Sequence, residues 1–449
     1  MANTGSSALP PSIPSNIWRR KPRRSRAPRD AHSLAPGDIA VGVTVGRASE
    51  YFDFFVFGIA SVLVFPSVFF PFVDRLQGTL YAFIVFSFAF LARPVGTLVG
   101  MQIQRRFGRG TKLTVALFLL GISTCTMAVL PGYQSIGATA IVLLALCRIG
   151  QGLALGGSWD GLPSLLALNA PEHRRGWYAM LGQLGAPLGF LVACGLFAYL
   201  YGNLETADFL GWGWRYPFYV AFAINVVALF ARLRLVVTHE YESQLEQHEL
   251  EPCDTRELMS TNGVNVFIGA FAALASYALF HLVTVFPLSW VTLYSEQRLG
   301  EFLSVQVIGA LLAAAAMPVS GWLADRVGRR SALGTSAVLI GLFAVAAPFL
   351  LDGGTAGQDT FILVGFVLLG LSYGQSSGTV TANFPPRLRY TGAALTADVA
   401  WLIGAAFAPL VALGLSSRFG LVAVSGYLLS GVVCTLLALR ANRALVARV

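Results

Sequence analysis

This sequence predicts an all-α membrane protein of twelve spanning helices. Three observations predict it: a charge-poor, apolar composition, a succession of apolar runs about the length of a bilayer crossing, and basic residues that return on one side of every second run. Of the 449 residues, 55% are hydrophobic and 12% are charged. Soluble domains carry about 25% charged residues. Half that charge leaves too little polar surface to cover a globule, so a lipid-facing surface follows.

A crossing helix needs about 20 mostly apolar residues to span ~30 Å of hydrocarbon. Twelve runs meet that need: 39–64, 79–100, 113–130, 137–165, 177–200, 216–236, 262–290, 303–323, 332–351, 360–382, 391–414 and 420–440. Charges, prolines or glycines bound each one. The third is short, and the seventh carries His281 and Pro287. Membrane strands alternate apolar and polar residues, and these runs do not. Residues 1–38 are rich in Pro, Ser and Arg, without apolar periodicity, and read as a disordered basic tail whose arginines suit anionic headgroups. The first apolar run is too long for a signal peptide and lacks a clear cleavage site. The longest polar break, 237–261, holds Glu240, Glu242, Glu246, Glu249, Glu251, Asp254 and Glu257. It reads as a central cytoplasmic loop that divides a first six-helix bundle, 39–236, from a second, 262–440, with a short tail at 441–449.

The net charge of +9 raises nucleic acid as a partner, and its distribution rejects it. With the N-terminus placed inside, the inner flanks hold 24 Lys and Arg, whereas the outer flanks hold only Arg75, Arg215, Arg298 and Arg418. Lys and Arg in short flanking loops mark the cytoplasmic side, so both termini are expected there. Arg47, Arg93 and Arg148 fall inside helices. Four of the five cysteines lie in apolar runs, and no C-x-x-C spacing suggests a metal or a disulfide framework. G-x-x-x-x-G-K-[ST] and H-E-x-x-H are absent, and G-x-S-x-G occurs only inside the tenth apolar run, as Gly370-Leu371-Ser372-Tyr373-Gly374 and Gly374-Gln375-Ser376-Ser377-Gly378, and not at a strand-to-helix turn, which argues against an enzyme and against a cofactor. Without a nucleotide site, an ion gradient is the expected energy source.

Arg106-Phe107-Gly108-Arg109 follows the second run, and Arg326-Val327-Gly328-Arg329 follows the eighth, 220 residues later. Two R-x-G-R turns at equivalent places in a six-plus-six chain indicate duplication, the usual design of alternating-access carriers. The segment Gly321-Trp322-Leu323-Ala324-Asp325-Arg326-Val327-Gly328-Arg329-Arg330 resembles the loop signature of the major facilitator superfamily. Within it the chain resembles the metabolite:proton symporters, relatives of the proline/betaine, α-ketoglutarate, citrate and shikimate carriers. Further segments carry this likeness in order: Glu50-Tyr51-Phe52-Asp53-Phe54-Phe55, Arg93-Pro94-Val95-Gly96, Leu130-Pro131-Gly132-Tyr133, Arg148-Ile149-Gly150-Gln151-Gly152, Gln183-Leu184-Gly185-Ala186-Pro187-Leu188-Gly189, and Phe384-Pro385-Pro386-Arg387-Leu388-Arg389-Tyr390-Thr391-Gly392.

The resemblance implies two six-helix bundles around a central cavity lined by the first, fourth, seventh and tenth helices. It implies proton-driven uptake of a small polar metabolite across a bacterial-type inner membrane, with an organic acid anion favoured because Arg148 offers an anion partner. The expected partners are that substrate, protons and the bilayer, with the chain acting as a monomer. A proton-coupled exporter of the same fold and a transport-dead metabolite sensor stay open as alternatives.

A charge at the bilayer centre costs at least ~2.5–3.5 kcal/mol, so it normally faces a cavity or a partner. Asp53 lies roughly 21 Å into the first helix and Arg148 roughly 16 Å into the fourth, at ~1.5 Å rise per residue. Both fall in the middle third, where a mutual ion pair is the cheapest arrangement. By resemblance they form the proton-coupling pair, with Arg148, Gln151 and Asp53 as substrate contacts. Glu50, on the same helical face as Asp53, is either a second proton site or a partner for Arg47. By the same likeness, Arg93, Arg105, Arg109, Asp325, Arg326 and Arg329 belong to a cytoplasmic gate.

Three departures touch that gate. Gln104 and Arg105 stand where the family carries an Asp before the first R-x-G-R. Ser158 and then Trp159-Asp160 follow Gly156-Gly157, where the family has Glu. Asp398 replaces a usual Asn. Asp160 is a candidate to replace the missing carboxylate, with Arg105 as its partner. Gly152/Gly156 and Gly157/Gly161 are G-x-x-x-G pairs expected to let backbones approach. Gly185-Ala186-Pro187-Leu188-Gly189 reads as a bend with tight packing, and His281 as a hydrogen-bonded helix histidine in preference to a pore titrator.

Overall fold

The computed structural model describes residues 36–158, 170–236, 251–377 and 384–442, and these contain helices and turns without a strand. Nine of the described helices are long and apolar enough to cross a membrane. One of them, Arg75–Val129, has 55 residues, enough for two crossings at ~1.5 Å per residue. Pro36–Leu63, which carries Arg47, Glu50 and Asp53, and Tyr216–Val236 bring the described crossings to twelve. Large apolar side chains such as Phe118, Leu146, Val227, Leu342 and Phe349 face outward, as a lipid-facing surface requires.

The second and third crossings meet at the first R-x-G-R turn, inside the span Arg75–Val129. Asp74 starts that helix by accepting from the Gln77 N–H at 3.0 Å. Gly108, at φ 82 and ψ 168, breaks it. Gly328, at φ 83 and ψ 146, stands between Leu299–Val327 and Arg329–Leu351. The duplicated motif therefore repeats in backbone conformation as well as in sequence. A Cβ is strained in that region, so glycine is needed at both turns.

Several boundaries differ from expectation. The fourth crossing is Ala138–Gly157, and Asp160 and Gly161 lie outside the described residues. The fifth consists of Arg175–Leu181 and Gly185–Asn203, interrupted at residues 182–184, just before the expected bend at Gly185–Gly189, which is helical. A helical segment capped by Asp254 through the Arg256 N–H at 2.9 Å precedes the seventh crossing, and the two meet at a kink at Asn262 (φ -134, ψ 16), the expected start. The stretch runs as Thr255–Ala272, Leu274–Thr284 and Phe286–Tyr294, kinked at Asn262 and broken at Ala273 and just before Pro287. The tenth is Gly354–Tyr373, and residues 378–383 lie outside the description. The eleventh is Arg389–Gly404 and Ala408–Phe419, and the twelfth is Leu421–Ala441.

The glycines set how closely these helices meet. A Cβ on Gly152 would lie 2.2 Å from the Ala89 carbonyl oxygen, and one on Gly156 would lie 2.0 Å from that of Arg93. The second and fourth crossings are thus in backbone contact, the packing expected of Gly152/Gly156. A Cβ on Gly189 would meet the Phe52 nitrogen at 2.7 Å, so the fifth crossing lies against the first in the same manner. Gly156→Leu should therefore part the second and fourth crossings and cost more than the ~1–3 kcal/mol of ordinary overpacking. Gly195→Ala, with open space around it, should be neutral. Melting of the two variants in detergent checks both expectations.

Candidate substrate and proton site

Asp53 is buried on the first crossing and fully engaged. Thr124 Oγ1 donates to its two oxygens at 2.9 and 3.0 Å, and Gln151 Nε2 lies 3.2 Å from both. Arg148, one turn before Gln151 on the fourth crossing, is also fully buried. Its Nη1 donates to Gln151 Oε1 at 2.9 Å, and its Nε to the Phe86 carbonyl at 3.2 Å. The guanidinium carbon lies 4.1, 4.8 and 5.2 Å from the ring centres of Phe57, Phe86 and Phe54. Nη2 has no hydrogen-bond partner.

The expected ion pair between Asp53 and Arg148 is not formed: among the described residues no salt bridge joins them. The reason is the amide between them. Gln151 offers a donor to the carboxylate and an acceptor to the guanidinium, so one neutral side chain answers both charges. Glu50 forms an ion pair with Arg47 at 2.8 Å and accepts from Ser158 Oγ at 3.0 Å.

Rings from both halves close over this site. Tyr51, Phe54, Phe86 and Phe90 come from the first half, and Tyr277, Phe280, Tyr373 and Trp401 from the second. Phe55 and Phe280 stack at 5.4 Å, Phe90 and Trp401 at 5.8 Å, and the Tyr51 and Tyr373 hydroxyls are hydrogen-bonded to each other. Beneath them a cavity of about 30 Å³, bordered by Arg47, Glu50, Arg93 and Trp401, has room for about one water. This is an occluded arrangement. His281 sits among these rings, and neither of its ring nitrogens has a hydrogen-bond partner, contrary to the expected hydrogen-bonded histidine.

At the end that carries the R-x-G-R turns, the halves are joined by polar contacts. Arg93 Nε and Asp398 Oδ1 form a buried ion pair at 2.9 Å. Asp325 accepts from the N–H groups of Gly176 and Trp177 at 2.5 and 3.1 Å, at the first turn of the fifth crossing. Arg329 donates to the Arg175 carbonyl at 3.2 Å. Lys112 donates to Gln104 Oε1 and to the Tyr390 hydroxyl, both at 2.7 Å. Arg326 instead stacks on its own helix neighbour Trp322 at 4.2 Å, and Arg109 is buried. Arg105 donates to the Pro252 carbonyl at 3.2 Å and also to that of Cys253. Its expected partner Asp160 lies outside the described residues.

The Major Facilitator Superfamily profile matches residues 54–409. The chain belongs to the Major Facilitator Superfamily. It is 37% identical, over 89% of its length and 92% of the relative's, to the inner membrane metabolite transport protein YhjE of Escherichia coli (strain K12). It is 31% identical to the shikimate transporter of the same organism, over 87% and 91% of the two chains. The crystal structure of a D-xylose-proton symporter superposes with a TM-score of 0.67 over 90% of this chain and 96% of that one. At 18% identity that likeness speaks to the fold alone. The protein is thus a superfamily transporter of the metabolite-transporter type, a multi-pass membrane protein of two pseudo-symmetric six-helix bundles, and not an enzyme.

Within this superfamily member, the site includes residues that the sequence did not single out. Thr124 could have been noticed as part of the polar run Ser123-Thr124-Cys125-Thr126 in an apolar crossing. Lys112 and Tyr390 have no such signal, since each looks like an ordinary end-of-helix residue until the two halves meet. Gln151 as a bridge needs the tertiary placement of the first and fourth crossings. The buried Arg93–Asp398 pair yields a direct prediction. Breaking it from one side with Asp398→Ala should destabilise the occluded state by ~3–5 kcal/mol, because a buried guanidinium is left uncompensated. The exchange Arg93→Asp with Asp398→Arg should recover part of that loss. Thermal melting and the labelling rate of a cysteine placed at Ala89 beside the 30 Å³ cavity read both changes.

Proposed function

We propose that this transporter is a proton-coupled symporter that takes up a small organic acid anion by alternating access across the cell inner membrane, as a monomer with both termini in the cytoplasm. The observation that carries this is the Asp53–Gln151–Arg148 chain, in which a buried carboxylate and a buried guanidinium share one neutral amide. Protonation of Asp53 removes the charge that Gln151 Nε2 faces, loosens the amide, and frees Arg148 Nη1 to join Nη2 in binding a carboxylate. Loss of the proton re-forms the amide chain and expels the anion. Neither step is favourable alone, and this couples substrate to proton.

Glu50, one turn from Asp53 and paired with Arg47, borders the small cavity on the basic side and suits a proton leaving toward the cytoplasm. The cytoplasmic gate is then the set Arg93–Asp398, Asp325 on the first turn of the fifth crossing, Arg329 on the Arg175 carbonyl, and the buried Arg109, with Arg105 fastening the segment before the seventh crossing. Opening inward breaks these contacts. Each is a polar link whose groups water can solvate once it enters.

Labelled carboxylates should accumulate in cells expressing the protein, and a protonophore should abolish that accumulation. In Asp53→Asn, accumulation should fall to background while exchange of internal for external substrate persists, because exchange needs no net proton movement. Undiminished proton-driven accumulation in Asp53→Asn would sink the coupling role.

A further inference from the structure

His281 lies in Leu274–Thr284, the short middle piece of the seventh crossing, between the breaks at Ala273 and Val285. It is completely buried. Its imidazole packs 5.3 Å from the rings of both Phe54 and Phe86, 6.0 Å from Phe90, 5.2 Å from Phe280 and 6.3 Å from Trp401. Both ring nitrogens lack a partner. A buried polar group without a hydrogen bond is a net cost to the fold, and a phenyl ring would fill the same place without it. Such a group fits a site where something else supplies the missing bond.

Arg148 Nη2 is another buried donor without a hydrogen-bond partner. Arg148 and His281 pack against the same two rings, Phe54 and Phe86. One belongs to the first half and the other to the second. When the halves part, the rings of Phe280 and Trp401 leave those of the first half, and these two polar groups border the opened space. The carboxylates nearby each have a partner: Asp53 has Thr124 and Gln151, Glu50 has Arg47, and Asp398 has Arg93 through Oδ1, its Oδ2 being without one. The space therefore offers an anion site, a neutral hydrogen-bonding group and flat ring faces, and each carboxylate near it is already paired or hydrogen-bonded.

We propose that His281 is a substrate-binding residue, the second half's hydrogen-bond contact to a hydroxyl on a small ring-shaped carboxylate whose acid group Arg148 holds. An imidazole always has at least one N–H donor, and a neutral one also has an acceptor, which suits a hydroxyl. This rests on the reading of the chain as a carrier of organic acids.

The test compares 4-hydroxycyclohexanecarboxylate with cyclohexanecarboxylate in proteoliposomes holding the wild type, His281→Phe or His281→Gln. His281→Phe should melt at or above the wild-type temperature, since it removes polar atoms that had no partner. Its KM for the hydroxylated acid should rise about tenfold, as for loss of one hydrogen bond. Its KM for the plain acid should stay put, and His281→Gln should recover much of the loss. An unchanged KM for the hydroxylated acid, or an equal rise for both acids, overturns the assignment. So does a fall in maximal rate alone, which would give His281 a part in movement and not in binding. A wild type that transports neither acid counts against the carrier reading only. Stabilisation of the purified proteins by each acid then decides the role of His281. A hydroxylated acid that raises the melting temperature of the wild type but not of His281→Phe supports it, and stabilisation of the wild type by neither acid overturns it.

Discussion

A charged side chain in hydrocarbon costs at least ~2.5–3.5 kcal/mol unless something answers it, and the interior of this protein holds Arg47, Glu50, Asp53, Arg93, Arg148 and Asp398. The arrangement of the helices around the midplane follows from how each is answered. Gln151 has the central part, because it touches both Asp53 and Arg148 and lets two charges share one neutral partner. A direct ion pair would lock the first and fourth crossings and leave little to titrate. An amide link holds the same two groups while leaving each able to change partner.

That link works only if the first, second and fourth crossings stay closely registered. Gly152 and Gly156 bring the fourth crossing into backbone contact with the second, at Ala89 and Arg93, and Gly189 brings the fifth onto the first. The first half is thus a rigid block around the buried charges. The seventh and eleventh crossings are each broken within the membrane, at Ala273 and Val285 and at residues 405–407. They carry His281 and Trp401 against that block. Backbone-close packing around the charges and broken helices facing them suit a structure in which one face moves over a fixed site.

The contacts between halves divide by chemistry. In the middle they are ring on ring, which needs no water and excludes it. At the basic end they are ion pairs and hydrogen bonds from side chains to backbone, which water can replace. The Arg93–Asp398 pair lies where the two kinds meet, with the Arg93 guanidinium 5.7 Å from the Trp401 ring. Its burial makes it the link most sensitive to loss of one partner, since a lone ion held there is left uncompensated.

Composition, the twelve apolar runs and the repeated R-x-G-R were enough to determine a twelve-helix carrier, because hydrocarbon admits only segments that satisfy their own backbone. The charges that matter were legible too: a carboxylate or arginine in the middle of an apolar run is conspicuous by its cost. Their partners were not. Asp53 with Gln151 and Thr124, Arg93 with Asp398, and Lys112 with Tyr390 join residues 71 to 305 positions apart, and no local pattern encodes such distances. His281 is the clearest case. In sequence it is one histidine in an apolar run, for which a hydrogen bond is the natural expectation. Only the tertiary packing decides that aromatic rings surround it and leave both its nitrogens unanswered.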